Sequence, residues 1–499
     1  MGAVSVASHL SHLPFAVNAP GGVPVHHTHS PLPPPPPPFE ATTNVDDLIG
    51  FVYQPQLRRT LGLWPLLAFG LVFMVPIAPF GIFGGVFAAS SGMVALAYTV
   101  GALVMLLTAC SYTQMVRAFP MAGSVYNYAG RGIGPRIGFL AGWAMLLDYV
   151  LVPGLLSLIA AVACHAAIPP LPVWMWIVGF LLLNTVINLC GLRLTARVTS
   201  AFLITELVVL AVFLAVGVWA LSQGRGQGLS LDPVFSPDTF TWPVLFTAVS
   251  VAVLSFLGFD GISMLAEENR GGSRQIGVAM TGALLLVGVL FIAQTWVASL
   301  LVADPAKLIA DGDPDGTAFY DAARVAGGHW LATLTAVATA LAWGIANSLV
   351  AQVSTSRLLF AMARDQQLPR FLARVSVRRS VPVNAVLLVA ALSMVLGLYM
   401  ASRSDGIAVL SSLINFGAII AFGTLHASVI WHHLLRRRSR RFAVHLLIPV
   451  AGIGILGAVA IHANILAQKV GLTWLGLGLL VLIALTLAGH SPRLSGLGA

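Results

Sequence analysis

The sequence predicts an all-α membrane protein of twelve transmembrane helices, built as a five-plus-five inverted repeat whose helices 1 and 6 are broken. Three observations carry that expectation. Of the 499 residues, 58% are hydrophobic and 9% charged, where a soluble protein carries about a quarter charged residues. Charge this sparse cannot cover a water-facing surface, so the apolar side chains must face lipid. Twelve apolar stretches long enough to cross a bilayer core, about 20 residues each, follow one another along the chain. Two of these stretches, five spans apart, are interrupted.

Residues 1–55 hold His26, His27, His29 and the run Pro33 to Pro38 but no apolar core of signal-peptide length. They are expected to form a disordered, partly polyproline-like cytoplasmic tail, with a His-rich metal site as the lesser reading. The first repeat, 56–225, carries spans near 63–88, 92–116, 137–163, 172–191 and 199–221. The second repeat, 240–435, carries spans near 243–266, 277–303, 329–356, 382–401 and 406–433. Helices 11 and 12, near 444–465 and 471–489, fill the segment 436–490, and 491–499 forms a second cytoplasmic tail. Cys110, Cys164 and Cys190 sit singly in or beside separate spans, as packing residues do.

Charge fixes the orientation. With the amino terminus inside, all but five of the 26 basic residues (Arg225, Lys307, Arg324, Arg403 and Lys469) fall in cytoplasmic segments, as the positive-inside bias requires. One external loop collects Asp304, Asp311, Asp313, Asp315 and Asp321. The net charge of +9 is thus dispersed in short clusters between spans, which argues against nucleic acid as a partner. The cluster Arg436 to Arg441 is accounted for by topology and attraction to anionic lipid.

In the first span, Pro76 and Pro79 remove backbone donors, and Gly81, Gly84 and Gly85 relax the helix beyond them. The sixth span is interrupted at Phe256-Leu257-Gly258-Phe259-Asp260-Gly261. Freed backbone groups in hydrocarbon must line a cavity or find protein partners. Paired breaks at corresponding positions of two repeats point to a binding site at mid-membrane; packing kinks are the alternative.

Four segments in order resemble the amino acid–polyamine–organocation superfamily, over about residues 55–430. They are Ala118 to Tyr126 with Gly138-Phe139 and Gly142-Trp143; Phe256 to Asp260 with Ala266-Glu267-Glu268; Ser356 to Asp365 running to Leu368-Pro369; and Asn415-Phe416-Gly417. Ser124 and the stretch Leu147-Asp148-Tyr149 leading to Pro153 lean toward the putrescine-importer branch. The resemblance implies the LeuT-type twelve-helix fold and proton-coupled import or exchange by alternating access, in a bacterial inner membrane. It implies no cofactor, and its partners would be a small cationic substrate, protons and the lipid bilayer. The sequence does not specify an oligomeric state.

Asp260 is the leading candidate for holding a protonated amine, since an acid at such a depth is tolerable only beside water or a partner; capping the second half-helix is the other reading. The resemblance implies substrate or gating contact at this position. Phe256, Gly258 and Phe259 flank it. The backbone of Gly81, Ile82, Phe83 and Gly84 could offer amides to a substrate carboxylate. Tyr149 aligns with a position lining the site in relatives. Asp148, in mid-span, is either a second anchor or a packed, hydrogen-bonded acid. Phe83, Phe256, Phe259 and Trp343 could contact an amine by cation–π attraction or gate its path, or simply pack. Glu206 stands where many members of the superfamily carry a lysine; it either relays a proton or pairs with an arginine. Glu267 and Glu268 could latch the inner end onto Arg58, Arg59 or Arg131, or be solvated.

These features predict a secondary active permease for a cationic amino acid or polyamine. A neutral or acidic amino acid permease of the same fold, or a channel or transporter-like sensor, remains as an alternative. No nucleophile–base pair or metal-ligand spacing marks an enzyme, and no phosphate-binding loop points to ATP.

Overall fold

The computed structural model describes residues 61–487 except 122–123, 169, 314–315, 366, 377–380 and 404, with backbone alone at 166–167, 192–197 and 267. The two expected tails, Arg58 and Arg59 lie outside the described residues. Within them the fold is all-helical; the sole β feature is an isolated bridge between Leu61 and Asn269. Ten helices are long and apolar enough to cross a membrane unbroken, and two bent pairs bring the spans to twelve. Each span lies within a few residues of its expected place.

The first span is α1 (Leu63–Met74) and α2 (Pro79–Ala89), bent by 53°. Val75, between them, sits at φ 52°, which is costly for a β-branched residue. Pro79 starts α2 at a position that needs no backbone donor. Carbonyls within the break find partners. Val75 O accepts from the amide of Ala78 at 2.8 Å, Ile77 O from Phe80 at 2.9 Å, and Pro76 O from the Gln294 side chain at 2.9 Å. Hydrocarbon offers no water for such groups, so a polar residue from another span supplies the bond.

Spans 2 and 3 are α3 (Val94–Ala118) and α5 (Pro135–Ala167), joined through the short α4 (Ser124–Gly132). Spans 4 and 5 are α6 (Val173–Cys190) and α7 (Leu192–Ser222). The sixth begins as α8 (Trp242–Ala252), tightens into a 3₁₀ turn at Val253–Phe256, and breaks at Leu257–Gly258. It resumes as a 3₁₀ helix over Phe259–Glu268, bent by 41°. Gly258 has φ 109°, and a Cβ there would lie 2.7 Å from Phe73 Cγ. Only glycine fits both constraints. Phe73, in the last turn of α1, therefore seats the sixth-span break against the first.

The seventh span is α9 (Gly272–Leu300). The connection after it carries α10 (Pro305–Asp311) and α11 (Ala318–Gly327), which cover one end of the bundle. Phe319 of α11 stacks on Phe80 with ring centres 3.9 Å apart, and Asp313 lies directly against Gly84. Span 8 is α12 (His329–Leu341), a π-helical turn at Ala342–Asn347, and α13 (Ser348–Arg364). At the opposite end of the bundle, Leu61 pairs with Glu268 and Arg270 through backbone hydrogen bonds of 2.9 Å. Arg357 meets Glu268 at 2.8 Å, and the Tyr126 hydroxyl donates to Asp365 at 2.7 Å.

The last spans are α14 (Val383–Ala401), α15 (Gly406–Val429), α16 (Ile448–His462) and α17 (Ile465–Leu487). Val395, Ile461 and Leu480 of these spans, like Leu183 of α6, stand out with large apolar areas exposed. Such faces are stable only against lipid tails. The chain is a multi-pass membrane protein.

Candidate substrate site

A cavity of about 30 Å³ lies between the two breaks, α5 and span 8, room for two or three water molecules on a scale where one needs about 10–15 Å³. Phe73, Met74, Val152, Leu155, Leu156, Leu254 and Leu257 form apolar walls. Asp148, Tyr149, Trp343, Asn347 and Thr355 supply the polar groups. Asp148 is the only charged side chain in this lining. It is buried, and no hydrogen bond or ion pair reaches its carboxylate among the described residues.

Pro153 explains how α5 bends its neighbours to the site. Proline has no N–H to give the carbonyl four residues earlier, that of Tyr149. The Thr355 hydroxyl takes that carbonyl at 2.7 Å, from span 8. The π-helical turn Ala342–Asn347 places both Trp343 and Asn347 on the cavity; such local widenings recur at functional sites. Asn347 Oδ1 and Trp343 Nε1 are buried without protein partners. The cavity wall thus holds one acid, with an unpartnered amide oxygen and an unpartnered indole N–H buried in the same residues that line it.

Asp260 opens the second half of the broken sixth span, in the first turn after Gly258. It does not line the cavity. Its Oδ2 accepts hydroxyls from Tyr149 at 2.7 Å, Ser124 at 3.2 Å and Tyr112 at 3.3 Å. Tyr149 therefore stands between the two acids, with its ring on the cavity and its hydroxyl on Asp260. Phe73 meets that ring edge-on at 6.2 Å.

The backbone of Gly81, Ile82, Phe83 and Gly84 also departs from expectation. The break ends at Ala78, so these residues are already inside α2, and the Gly81 amide donates to Ala78 O at 3.2 Å. Prolines at 76 and 79 set the break upstream of the glycines, which serve close packing instead. Gly81 borders Trp343, and Gly84 borders Asp313. Phe83 packs on Phe319 and Phe87 beneath α11. Phe256 joins Tyr98 and Phe291, while Phe259 joins Tyr112 and Phe422; neither ring lines the cavity. Gly258 and Trp343 do.

Glu206 is buried in α7, and among the described residues neither carboxylate oxygen has a partner, so of the two readings the arginine pair is not seen there. The Glu267 side chain lies outside the described residues. Glu268 pairs with Arg357 of span 8. Sequence reasoning missed Asn347 and Thr355. Nothing in the sequence marks the π-helical turn, but Pro153, four residues after Tyr149, signals a carbonyl in need of a donor.

The amino acid permease family model matches residues 62–490. The chain belongs to the amino acid permease family. This permease is 32% identical over 446 residues to the low-affinity putrescine importer PlaP of Escherichia coli K12, covering 88% of this chain and 96% of that protein. It is 27% identical over 395 residues to cationic amino acid transporter 4, vacuolar, of Arabidopsis thaliana, covering 75% of this chain and 63% of the relative. The branched-chain amino acid permease BcaP of Bacillus subtilis is 23% identical over 466 residues, covering 88% and 95%. The family carries small molecules across membranes, and this permease is a transporter rather than an enzyme.

Proposed function

We propose that this permease imports a small cationic amine, in the first place a polyamine such as putrescine, by proton symport with alternating access. Asp148 carries the reading. A bare carboxylate in an apolar pocket is costly until an ammonium joins it, and the unpartnered amide oxygen of Asn347, on the same cavity wall, is available to a further N–H. No basic side chain lines the cavity to receive a substrate carboxylate, and the first-span amides are engaged within α2. The likeness to a putrescine importer agrees with this chemistry. Trp343, a residue of the cavity wall whose buried indole N–H has no protein partner, favours a second reading in which a cationic amino acid binds with its carboxylate there once the site opens.

A cavity of about 30 Å³ is smaller than a six-heavy-atom diamine, so loading requires the spans around it to part. We assign that motion to the repeats 56–225 and 240–435 moving against each other, with 436–490 outside them. Glu206, unpartnered in α7, is the candidate for the coupled proton. The setting is a bacterial inner membrane with both tails, 1–55 and 491–499, in the cytoplasm.

Uptake of labelled putrescine into proteoliposomes under an inward proton gradient tests the proposal, with unlabelled lysine, alanine and glutamate as competitors. Accumulation blocked by excess diamine, and not by alanine or glutamate, is the expected result. Competition by lysine equal to that by putrescine selects the second reading. Uptake of alanine or glutamate without putrescine overturns both.

A further inference from the structure

We propose that the connection between α15 and α16 is a binding site for the headgroup of an anionic phospholipid. After α15 a π-helical segment, Ile430–Arg436, carries the chain to the end of the span, and a second one, Ala443–Leu447, starts span 11. Only Arg437–Phe442 lies between them, too short a connection to stand away from a bilayer surface.

Arg436, Arg438, Arg440 and Arg441 are all exposed on this turn. None of them takes part in an ion pair among the described residues. No Asp or Glu occurs anywhere after Asp405, so the segment holds no acid of its own to neutralise them. The turn is also built rather than loose. The Ser439 amide donates to His433 O at 2.9 Å, the Arg441 amide to Ser439 Oγ at 3.3 Å, and His445 Nδ1 lies 2.8 Å from the same Oγ. That frame fixes the backbone that carries the four arginines.

The apolar neighbours identify the source of the anion. Trp431 is 44% exposed and Phe442 is 56% exposed beside the arginines. Indole and phenyl rings next to basic residues suit the level where acyl chains meet headgroups. Guanidinium forks match phosphate oxygens two at a time. A phosphate that brings its own acyl chains satisfies both the charge and the rings, whereas a soluble phosphate satisfies only the first.

Native mass spectrometry of the purified full-length chain, incubated with equal amounts of phosphatidylglycerol and phosphatidylcholine, tests this. The chain is expected to retain phosphatidylglycerol at least tenfold over phosphatidylcholine. Changing Arg436, Arg438, Arg440 and Arg441 together to Gln should remove that preference, while the same four changed to Lys should keep only the part that charge alone supplies. Single Arg438→Gln and Arg440→Gln variants, each expected to lose two- to threefold, serve if the quadruple variant does not fold. Equal retention of the two lipids, or unchanged retention by the Gln variants, overturns the proposal. Displacement of the lipid by an equal concentration of glycerol phosphate overturns it too, in favour of a soluble phosphate.

Discussion

The Tyr149 hydroxyl donates to Asp260 at 2.7 Å while the carboxylate next to it in the chain, Asp148, has no partner among the described residues. Adjacent residues on α5 thus put one acid under cover and leave another bare on the cavity. A phenol, a third-span backbone carbonyl and the sixth-span break are joined through this one tyrosine.

Tyr149→Phe should remove that bond without changing the ring's packing on Phe73. A hydrogen bond to a charged group contributes about 1.5–3 kcal/mol, so thermal unfolding in detergent should move down by several degrees. Amine binding at Asp148 should survive, because the phenyl ring still lines the cavity.

Gly258→Ala should abolish folding or transport. Both the φ of 109° and the approach of Phe73 exclude a Cβ, and left-handed backbone alone costs an L-residue roughly 1–2 kcal/mol. Gly454→Ala is the contrast, since nothing lies within 4 Å of the added carbon. Expression level and monodispersity after purification should separate the two variants clearly.

Gln294→Leu should leave the Pro76 carbonyl without its donor. A buried acceptor stranded in this way costs about 1–3 kcal/mol. The midpoint of thermal unfolding reads the loss.

Glu206→Gln should separate transport from proton coupling. The amide keeps the shape of the buried side chain but cannot take up and release a proton. Putrescine exchange across the membrane should persist while accumulation driven by an imposed proton gradient falls at least tenfold. Unchanged gradient-driven accumulation would remove Glu206 from the coupling mechanism.

The helices were legible because apolar runs, prolines and basic clusters are local signals. The two breaks were legible for the same reason, although the first lies at Val75–Ala78 rather than among the glycines that follow. Proline dictates where a helix loses its donors, whereas Gly81 and Gly84 mark close approaches by Trp343 and Asp313. The roles of Asp148 and Asp260 could not be read in advance. Which acid is bare depends on where the hydroxyls of Tyr112, Ser124 and Tyr149 converge, and the carboxylate they meet lies more than a hundred residues further along the chain. Asn347 was invisible because a π-helical turn has no composition of its own. Gln294 gave a usable signal: an amide in mid-span needs a partner, and a proline-broken helix has carbonyls to offer.

The most direct test compares equilibrium binding of labelled putrescine to Asp148→Asn and Asp260→Asn by scintillation proximity, with thermal unfolding as the fold control. The account predicts that Asp148→Asn weakens binding at least tenfold, about 1.4 kcal/mol or more, while Asp260→Asn stays within threefold of the parent. Full binding by Asp148→Asn, with loss confined to Asp260→Asn, would contradict it and return the amine to the sixth-span acid.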